Sequence, residues 1–344
     1  MMKYNFKDDY SEGCHPHILE MLSRTNFEQQ DAYGDDKYSR KAKQIIKEKL
    51  RHKPADIFFV SGGTQANLII ISSILKPHES VIAAHTGHVN TYEAGAIEAT
   101  GHKINAIESL DGKINPENIQ TVLDKHNIIP HMVKPKMVYI SNSTEIGSIY
   151  KKSELLALSE FCQNNNLFLF MDGARLGTAL SAKENDLSLS DIAKLTDVFY
   201  IGGTKNGALI GEAIVISNKK LQEDFGYQLK QKGALLSKGR LLGIQFLELF
   251  KDDLFFDLAQ HANQMALKLV QDIQNLGYTF LIKPETNQIF PVFPNKLINR
   301  LEKKYGFHIW KKTDQNHSAI RLVTSWATKE TAINEFLLDL EKLS

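Results

Sequence analysis

The chain of 344 residues carries 41 Lys and Arg against 40 Asp and Glu, a formal net charge of +1, and 42% of its residues are hydrophobic. This balance excludes a nucleic-acid binder that acts through bulk positive charge, and the hydrophobic content excludes a disordered chain. Two cysteines, Cys14 and Cys162, are too few for a disulfide framework and favour a reducing, cytoplasmic setting. No apolar stretch approaches the roughly 20 residues that cross a bilayer, and the first residues lack the apolar core of a signal peptide, so we expect no membrane contact.

Apolar runs alternate with helix-like segments through the middle of the chain. Because their apolar residues are continuous rather than alternating, we expect these runs to be strands buried on both faces. The runs are residues 57–60, 81–84, 137–140, 167–171, 198–201 and 213–216. Helical patterns lie between them, for example at residues 116–126 and 153–165. This alternation predicts an α/β domain with a mostly parallel sheet.

The pattern changes near residue 250. Residues 255–275 have the pattern of one long amphipathic helix. Shorter strand-like and helix-like segments follow it, at residues 277–282, 288–293, 296–305, 319–323 and 329–343. We therefore expect two domains, a large one over residues 1–250 and a small α+β domain over residues 251–344.

Two strand ends carry residues suited to binding charged groups, and ligands of open α/β sheets collect at the carboxyl ends of the strands. After the first strand comes the segment SGGTQAN, residues 61–67, whose small residues and following helix N-terminus suit a phosphate. A tight turn with a Thr64 helix cap is the alternative. Asp172 ends an unusually apolar strand, where a carboxylate is costly unless it meets a positive partner or strong donors. A helix N-cap is the alternative for Asp172.

A third strand end carries Lys205, which lies in the glycine-rich segment IGGTKNG at residues 201–207. Most lysines lie on solvated surfaces and have no special role. A lysine held between glycines at the end of a buried strand is partly desolvated, which lowers its pKa and makes the amine a nucleophile.

A phosphate-binding loop, an acid and a lysine are the parts that a pyridoxal phosphate site needs. The lysine amine reacts with the cofactor aldehyde, the acid keeps the pyridine nitrogen protonated, and the helix N-terminus holds the phosphate. The order of these parts, and the spacing from Asp172 to Lys205, match the aspartate-aminotransferase-type fold.

The chain resembles the low-specificity threonine aldolases, within the wider group of β-eliminating lyases. The resemblance runs from about residue 10 to the C-terminus and rests on residues 62–67 (GGTQAN), 87–96 (GHVNTYEAGA), 172–175 (DGAR), 204–205 (TK) and 320–324 (IRLVT). It implies a large domain of fold type I, a small C-terminal domain, and pyridoxal phosphate as cofactor. The implied reaction is cleavage of β-hydroxy-α-amino acids, with threonine or allo-threonine giving glycine and acetaldehyde.

The resemblance implies a role for each matching residue. Lys205 would carry the cofactor, Asp172 would pair with the ring nitrogen, and Arg175 would contact the phenolic oxygen. His88 would stack on the cofactor ring near the β-substituent of the substrate, where it or a water beside it would serve as the base. The remaining cofactor contacts are implied at Gly63, Thr64 and Thr204.

The resemblance also assigns substrate contacts. Arg321 would bind the substrate carboxylate, because a guanidinium is a rigid two-pronged cation. A serine that holds this carboxylate in many relatives aligns here with Asp8, unless the register slips to Ser11. A second histidine, placed near the substrate hydroxyl in many relatives, aligns with Thr144.

The family assembles as dimers of dimers, so the resemblance implies a homo-oligomer, a dimer or tetramer, with active sites at subunit interfaces. Lys232 and Lys238 would then reach the phosphate of a neighbouring subunit. No metal site is expected, since no cluster of Cys and His has ligand spacing.

Other interpretations remain open. His88 and His85 could be ordinary histidines on a helix face, and Arg321 could form a structural ion pair. The nearest rival function is another lyase reaction, a racemisation or a transamination on the same cofactor. A nicotinamide-dependent oxidoreductase would need a glycine fingerprint after the first strand, which the sequence lacks. A non-catalytic cofactor carrier is the third possibility, because a fold alone does not define a function.

Overall fold

The structure is a computed structural model that describes residues 2–51 and 54–343. Its strands are β1 (Tyr4–Asn5), β2 (Asp56–Val60), β3 (Glu79–Ala84), β4 (Ile104–Ile107), β5 (Lys134–Ser141), β6 (Phe168–Asp172), β7 (Val198–Gly202), β8 (Glu212–Ile216), β9 (Thr279–Phe280), β10 (Gln288–Ile289), β11 (Pro291–Pro294), β12 (Tyr305–Gly306), β13 (His308–Lys312) and β14 (His317–Val323). Its α-helices are α1 (Pro16–Arg24), α2 (Lys37–Leu50), α3 (Gly63–Ile74), α4 (His88–Thr91), α5 (Pro116–Lys125), α6 (Lys152–Asn164), α7 (Leu176–Leu180), α8 (Leu189–Leu195), α9 (Phe225–Gln231), α10 (Arg240–Lys251), α11 (Leu254–Asn275), α12 (Asn295–Leu301) and α13 (Glu330–Leu343). None of these helices is both long and apolar enough to cross a bilayer.

A seven-stranded sheet with the order β2-β8-β7-β6-β5-β3-β4 forms the centre of the larger part. All neighbours pair in parallel except β8, which is antiparallel to both β2 and β7. The loop from β7 to β8 is too short for a crossover connection, so the chain turns back beside the strand it has just left. The predicted mostly parallel sheet is confirmed, and each of the predicted runs before residue 250 forms one of its strands.

Both faces of this sheet are buried, as the continuous apolar runs predict. Along β7, Val198 and Tyr200 pack into the hydrophobic cluster on the α3 face, while Phe199 and Ile201 pack into the cluster on the α10 face. Successive side chains of a strand point to opposite faces, so each face receives every second residue. By the same alternation, the side chain of Asp172 at the end of β6 lies on the α3 face, together with Tyr200.

The C-terminal part is built around β14. On one edge β14 pairs with β13, and on the other it pairs with β10 and β11 in succession, all antiparallel. Helix α11 joins the two parts, because Phe255 packs into the core of the large sheet while Ile273 packs into the C-terminal core.

The N-terminal strand packs with the C-terminal part. Strand β1 pairs in parallel with β12, and Phe6 is fully buried in the C-terminal hydrophobic cluster. This pairing carries residues 7–10 across the gap between the C-terminal sheet and the large sheet. The division of the chain at residue 250 stays a prediction.

Candidate active site

Two adjoining cavities lie at the carboxyl ends of the strands in the large sheet. The smaller cavity, of about 290 Å³, is lined by Ser61, Gly62, Gly63, Thr64, Ser141, Ser143, Asp172, Ala174, Tyr200, Thr204 and Glu212. The larger, of about 470 Å³, extends to the C-terminal sheet and is lined by Asp8, Tyr92, His308, Ile309, Trp310 and Arg321. Five residues line both cavities: Tyr10, His88, Glu145, Arg175 and Lys205. These five mark the boundary where two ligands would meet.

Asp172 ends β6 and is only 4% exposed. Its Oδ2 accepts hydrogen bonds from the hydroxyl of Tyr139 at 2.5 Å and from Nδ2 of Asn67 at 3.3 Å, and its Oδ1 accepts one from the N–H of Ala174 at 2.9 Å. Burial and the charge of Asp172 raise the pKa of Tyr139 well above its usual value, so Tyr139 remains a donor. The hydroxyl of Tyr200 also interacts with this carboxylate, so Asp172 is surrounded by hydrogen-bond donors.

Lys205 lies in the loop after β7 and reaches both cavities. Burial, together with the charge of Arg175, lowers the pKa of the Lys205 amine against the opposing charges of Asp9, Asp172 and Glu212. A lowered pKa increases the fraction of neutral amine, which is the nucleophilic form.

Glu212 is the first residue of β8 and lines the smaller cavity together with Lys205. Its Oε2 accepts a hydrogen bond from the N–H of Gly203 at 3.0 Å. Burial raises the pKa of this carboxyl to about 8, although the charge of Lys205 opposes the shift. In the sequence Glu212 is a single acid in front of an apolar run, a pattern that carries no functional signal.

The N-terminus of α3 opens into the smaller cavity. Gly62 caps this helix without any side-chain hydrogen bond, and a Cβ added to Gly62 would meet no atom within 4 Å. Gly63 and Thr64 follow as the first helical residues, and their N–H groups begin the positive end of a 12-residue helix. Ser143 adds a buried hydroxyl that has no hydrogen-bond partner within the described ranges. This arrangement suits an anion.

Arg175, in the loop after β6, is held by an acid from the N-terminal segment. Its Nε and Nη2 donate to the two carboxylate oxygens of Asp9 at 2.7 and 3.0 Å, and Asn287 also donates to Asp9 at 3.0 Å. Burial acts to raise the pKa of Asp9, but the charge and hydrogen bonds of Arg175 outweigh it and hold the pKa below its usual value. Sequence reasoning missed Asp9, because nothing local connects it with a residue 166 positions away.

His88 begins α4 and lines both cavities. Its Nδ1 lies 2.9 Å from Oε1 of Glu93, and Asn67 donates to the same oxygen at 2.7 Å. Since Asn67 also contacts Asp172, a buried chain of polar groups connects His88 with Asp172. His85 lies outside both cavities, where its Nδ1 accepts from the N–H of Ser109 at 3.2 Å.

Arg321 extends from β14 into the larger cavity beside the ring of Trp310, whose centroid is 5.7 Å from the guanidinium carbon. Its Nη2 donates to the carbonyl of Lys7 at 2.9 Å, and Oδ1 of Asp8 lies 3.9 Å from the same nitrogen. Its Nε is buried and has no partner in the part of the chain that the structure describes. Arg321 therefore retains a free donor for an anionic ligand, although Asp8 competes for its charge.

Four predicted site residues lie outside both cavities. The hydroxyl of Thr144 is paired with that of Ser148 at 2.7 Å, and Ser11 is exposed on the surface. Lys232 donates to Gln228 at 2.7 Å, and Lys238 is exposed. The structure brings together the other predicted residues, which are Lys205, His88, Asp172, Gly63, Thr64, Arg175, Thr204 and Arg321.

The geometry agrees with what comparisons with known proteins show. A sequence model of the β-eliminating lyases matches residues 7–295. Two proteins named low specificity L-threonine aldolase cover 97% of this chain and 95% of their own length, at 36% identity in a Pseudomonas species and 32% in Pseudomonas aeruginosa. The chain therefore belongs to the β-eliminating lyase family, among its threonine aldolases, and the predicted family is confirmed.

Solved structures agree with this family and with the fold of the chain. A threonine aldolase from Leishmania major is 46% identical, with a TM-score of 0.97 and coverage of 99% of both chains. An aspartate aminotransferase from Thermus thermophilus, at 14% identity, has a TM-score of 0.73 and covers 100% of this chain and 92% of its own. The latter likeness concerns the fold alone, and it confirms the predicted aspartate-aminotransferase-type architecture.

Proposed function

We propose that this protein is a pyridoxal phosphate-dependent lyase that cleaves the Cα–Cβ bond of β-hydroxy-α-amino acids. Threonine or allo-threonine would give glycine and acetaldehyde. The observation that carries the proposal is the convergence of the Lys205 amine, the Asp172 carboxylate and the open N-terminus of α3 on one cavity, next to a second cavity that contains Arg321. The threonine aldolases among the relatives support the same reaction.

Pyridoxal phosphate fits the donors and acceptors of the smaller cavity. Its volume of about 290 Å³ lies near the lower end for small-molecule sites, about 300–1,000 Å³. Lys205 would hold the aldehyde carbon, the Asp172 carboxylate would take the ring N–H, and Gly63, Thr64 and Ser143 would hold the phosphate. When bound, the cofactor supplies an electron sink for the pair left at the α-carbon when a bond to it breaks.

The side chains of the chain itself supply binding and orientation. Arg321 binds the substrate carboxylate with its free donors and so fixes which bond of the α-carbon is presented for cleavage. Arg175, held rigidly by Asp9, contributes a positive charge at the boundary of the two cavities. Burial lowers the pKa of the Lys205 amine, which increases the share of the neutral, nucleophilic form.

The cofactor assignment is tested with purified protein and borohydride. The wild-type protein should bind pyridoxal phosphate and turn yellow. After reduction, the cofactor should be attached covalently, as a label, to the peptide that contains Lys205. Lys205→Ala should lose both the label and turnover, while Lys219→Ala, an exposed lysine on the surface, should keep both. A wild-type protein that binds no pyridoxal phosphate would contradict the proposal.

The reaction type is tested by identifying the products. Cleavage of threonine should release glycine and acetaldehyde in equal amounts. A keto acid would instead indicate transamination, and ammonia released together with a keto acid would indicate elimination. Binding of the cofactor without turnover of any amino acid would favour the carrier interpretation.

We further propose that the protein acts in the cytoplasm as a homo-oligomer. Both cysteines are free and buried, which suits a reducing compartment. Lys232 and Lys238 lie outside the cavities of their own chain, so a phosphate contact from them requires a neighbouring subunit. Light scattering should give a mass of two or four chains, and Lys238→Glu should weaken cofactor binding. A monomer with full activity would contradict this assembly.

A further inference from the structure

Glu145 lies at the boundary between the two cavities and has no role so far. It follows β5 in a tight turn, where the N–H of Thr144 donates to the carbonyl of Ser148 at 2.9 Å and the N–H of Gly147 to that of Thr144 at 3.0 Å. This turn directs Thr144 into the protein, where it is fully buried, and brings Glu145 to the walls of both cavities. The position that sequence alignment gives to Thr144, next to the substrate hydroxyl, is therefore available to Glu145 instead.

The two carboxylate oxygens of Glu145 have different surroundings. Oε1 accepts hydrogen bonds from the backbone N–H of His88 at 2.9 Å and from the hydroxyl of Ser141 at 2.7 Å. Neither of these two hydrogen bonds goes to Oε2, and the N–H of Glu145 itself also stabilises the carboxylate. The side chain is thus fixed through Oε1, which leaves Oε2 to act on a ligand.

The environment makes Glu145 a stronger base than an exposed glutamate. Glu145 is only 9% exposed, and burial raises the pKa of its carboxyl against the hydrogen bonds from Ser141 and from the N–H groups of Glu145 itself and of His88. A base acts best when its pKa approaches the working pH, so this shift favours proton transfer near neutrality.

The neighbours of Glu145 place it beside the reacting part of the substrate. A substrate held by Arg321 and linked to the site of Lys205 occupies the larger cavity, which Glu145 also lines. His88 is the rival base: the buried carboxylate of Glu93 pairs with its Nδ1 and orients the ring, which leaves Nε2 for a ligand, so the test has to distinguish the two residues.

We propose that Glu145 is the catalytic base that takes the β-hydroxyl proton of the substrate, an inference that rests on the proposed aldol cleavage. The proton passes to Oε2 of Glu145, and the electrons of the O–H bond form the C=O bond of the aldehyde. The Cα–Cβ bond breaks, and its electron pair stays with the α-carbon, which later takes up a proton to give glycine. The step needs no oxidant or reductant.

The test separates removal of the hydroxyl proton from chemistry at the α-carbon. Wild-type protein loaded with pyridoxal phosphate is assayed for threonine cleavage, and separately for exchange of the glycine α-hydrogen with deuterated water by NMR. Glycine has no β-hydroxyl, so its exchange needs the cofactor and the binding residues but not this base.

Glu145→Gln should lower kcat for threonine cleavage by about 10²–10⁴-fold, the usual contribution of a general base. It should leave glycine exchange within about threefold of wild type, because the amide retains the hydrogen bonds to Oε1. Glu145→Asp, which keeps the carboxylate, should recover part of the cleavage rate. Glu117→Gln, an exposed glutamate on α5, should change neither rate.

The pH profile gives a second measurement. A base works in its ionised form, so kcat of the wild type should fall as the pH drops through the pKa of Glu145, and this dependence should be absent in Glu145→Gln. Cleavage by Glu145→Gln within about threefold of wild type, or an unchanged pH dependence, would overturn the proposal in favour of His88. An equal loss of cleavage and exchange would also overturn it. If the wild type exchanges glycine but cleaves no β-hydroxy amino acid, the proposed function itself fails.

Discussion

The two cavities of the site are built in different ways. The smaller one is formed at one edge of a single sheet, and its ionisable groups Asp172, Lys205 and Glu212 lie at the end of β6, in the loop after β7 and at the start of β8. The larger one is closed by residues far apart in the chain, with Asp8 at one end of the sequence and Arg321 near the other. The first follows from the topology of a single sheet, whereas the second requires that the N-terminal strand and the C-terminal sheet pack against that sheet.

The acid of the smaller cavity and the cation of the larger one are satisfied to different degrees, although the Ser143 hydroxyl of the smaller cavity also has no partner in the described chain. Asp172 accepts three hydrogen bonds before any ligand binds. Arg321 makes one hydrogen bond, to a backbone carbonyl, and retains a buried Nε without a partner in the described chain. A rigid set of donors suits a resident cofactor, while unsatisfied donors suit a substrate that binds and leaves. The comparison can be tested by removing one charge from each cavity.

Among the substitutions that compare the two cavities by removing one charge, the largest effect is expected from Asp172→Asn in the smaller cavity. The amide keeps the shape of the carboxylate but loses its negative charge, so it no longer favours a protonated ring nitrogen. We expect kcat to fall roughly 10³-fold, in the range of losses seen when preorganised charge is removed from an active site. The measurements are steady-state cleavage of threonine and the absorbance of the bound cofactor.

A matched control for this substitution is Asp197→Asn. Asp197 is half-buried and also accepts a backbone hydrogen bond, from Leu169 at 2.7 Å, but it precedes β7 at the opposite end of the sheet. The substitution Asp197→Asn should lower the free energy of unfolding without changing kcat. Equal losses of kcat from both substitutions would show that the effect of Asp172 is structural.

A smaller effect is expected from Arg321→Ala in the larger cavity. Losing a charge-assisted hydrogen bond costs about 1.5–3 kcal/mol, which corresponds to an increase in KM for the amino acid of roughly 10- to 100-fold. The affinity for pyridoxal phosphate should stay the same, because Arg321 does not line the smaller cavity. Arg300→Ala, on the surface of α12, is the control. Unchanged kinetics in Arg321→Ala would remove its role in carboxylate binding.

The difference between the cavities also explains what the sequence could predict. The smaller cavity was largely predictable because Asp172, Lys205 and the glycine-rich segment at residues 61–64 lie at or just after the ends of apolar runs, and the carboxyl ends of neighbouring parallel strands meet at one edge. Glu212 was not predictable in this way, because it lies at the start of its strand. Strand β4 was missed because its four residues include the polar Asn105. The reversed direction of β8 was not predicted, since an apolar run has the same pattern in either direction.

The larger cavity was only partly predictable, because its residues meet through long-range packing. The ion pair between Asp9 and Arg175 depends on the pairing of β1 with β12, for which the short β1 gives no periodic signal. Glu145 and Thr144 are adjacent in sequence, and only the turn after β5 determines which one faces the cavity. Alignment to a family cannot resolve a difference of one residue in such a turn.

The smallest effect is expected from Asp8→Asn, and its direction is the informative part. Oδ1 of Asp8 lies 3.9 Å from Nη2 of Arg321, and the two side chains are 24% and 16% exposed. Two unit charges 4 Å apart in water-like surroundings interact by about 1 kcal/mol, so an acid here weakens the attraction of Arg321 for a substrate carboxylate. Removing the charge should therefore lower KM about fivefold with kcat unchanged, measured against Asp31→Asn, an exposed acid on the surface, as control. A rise in KM would instead mean that Asp8 holds Arg321 in the orientation that binds substrate, which would make the larger cavity as preorganised as the smaller one.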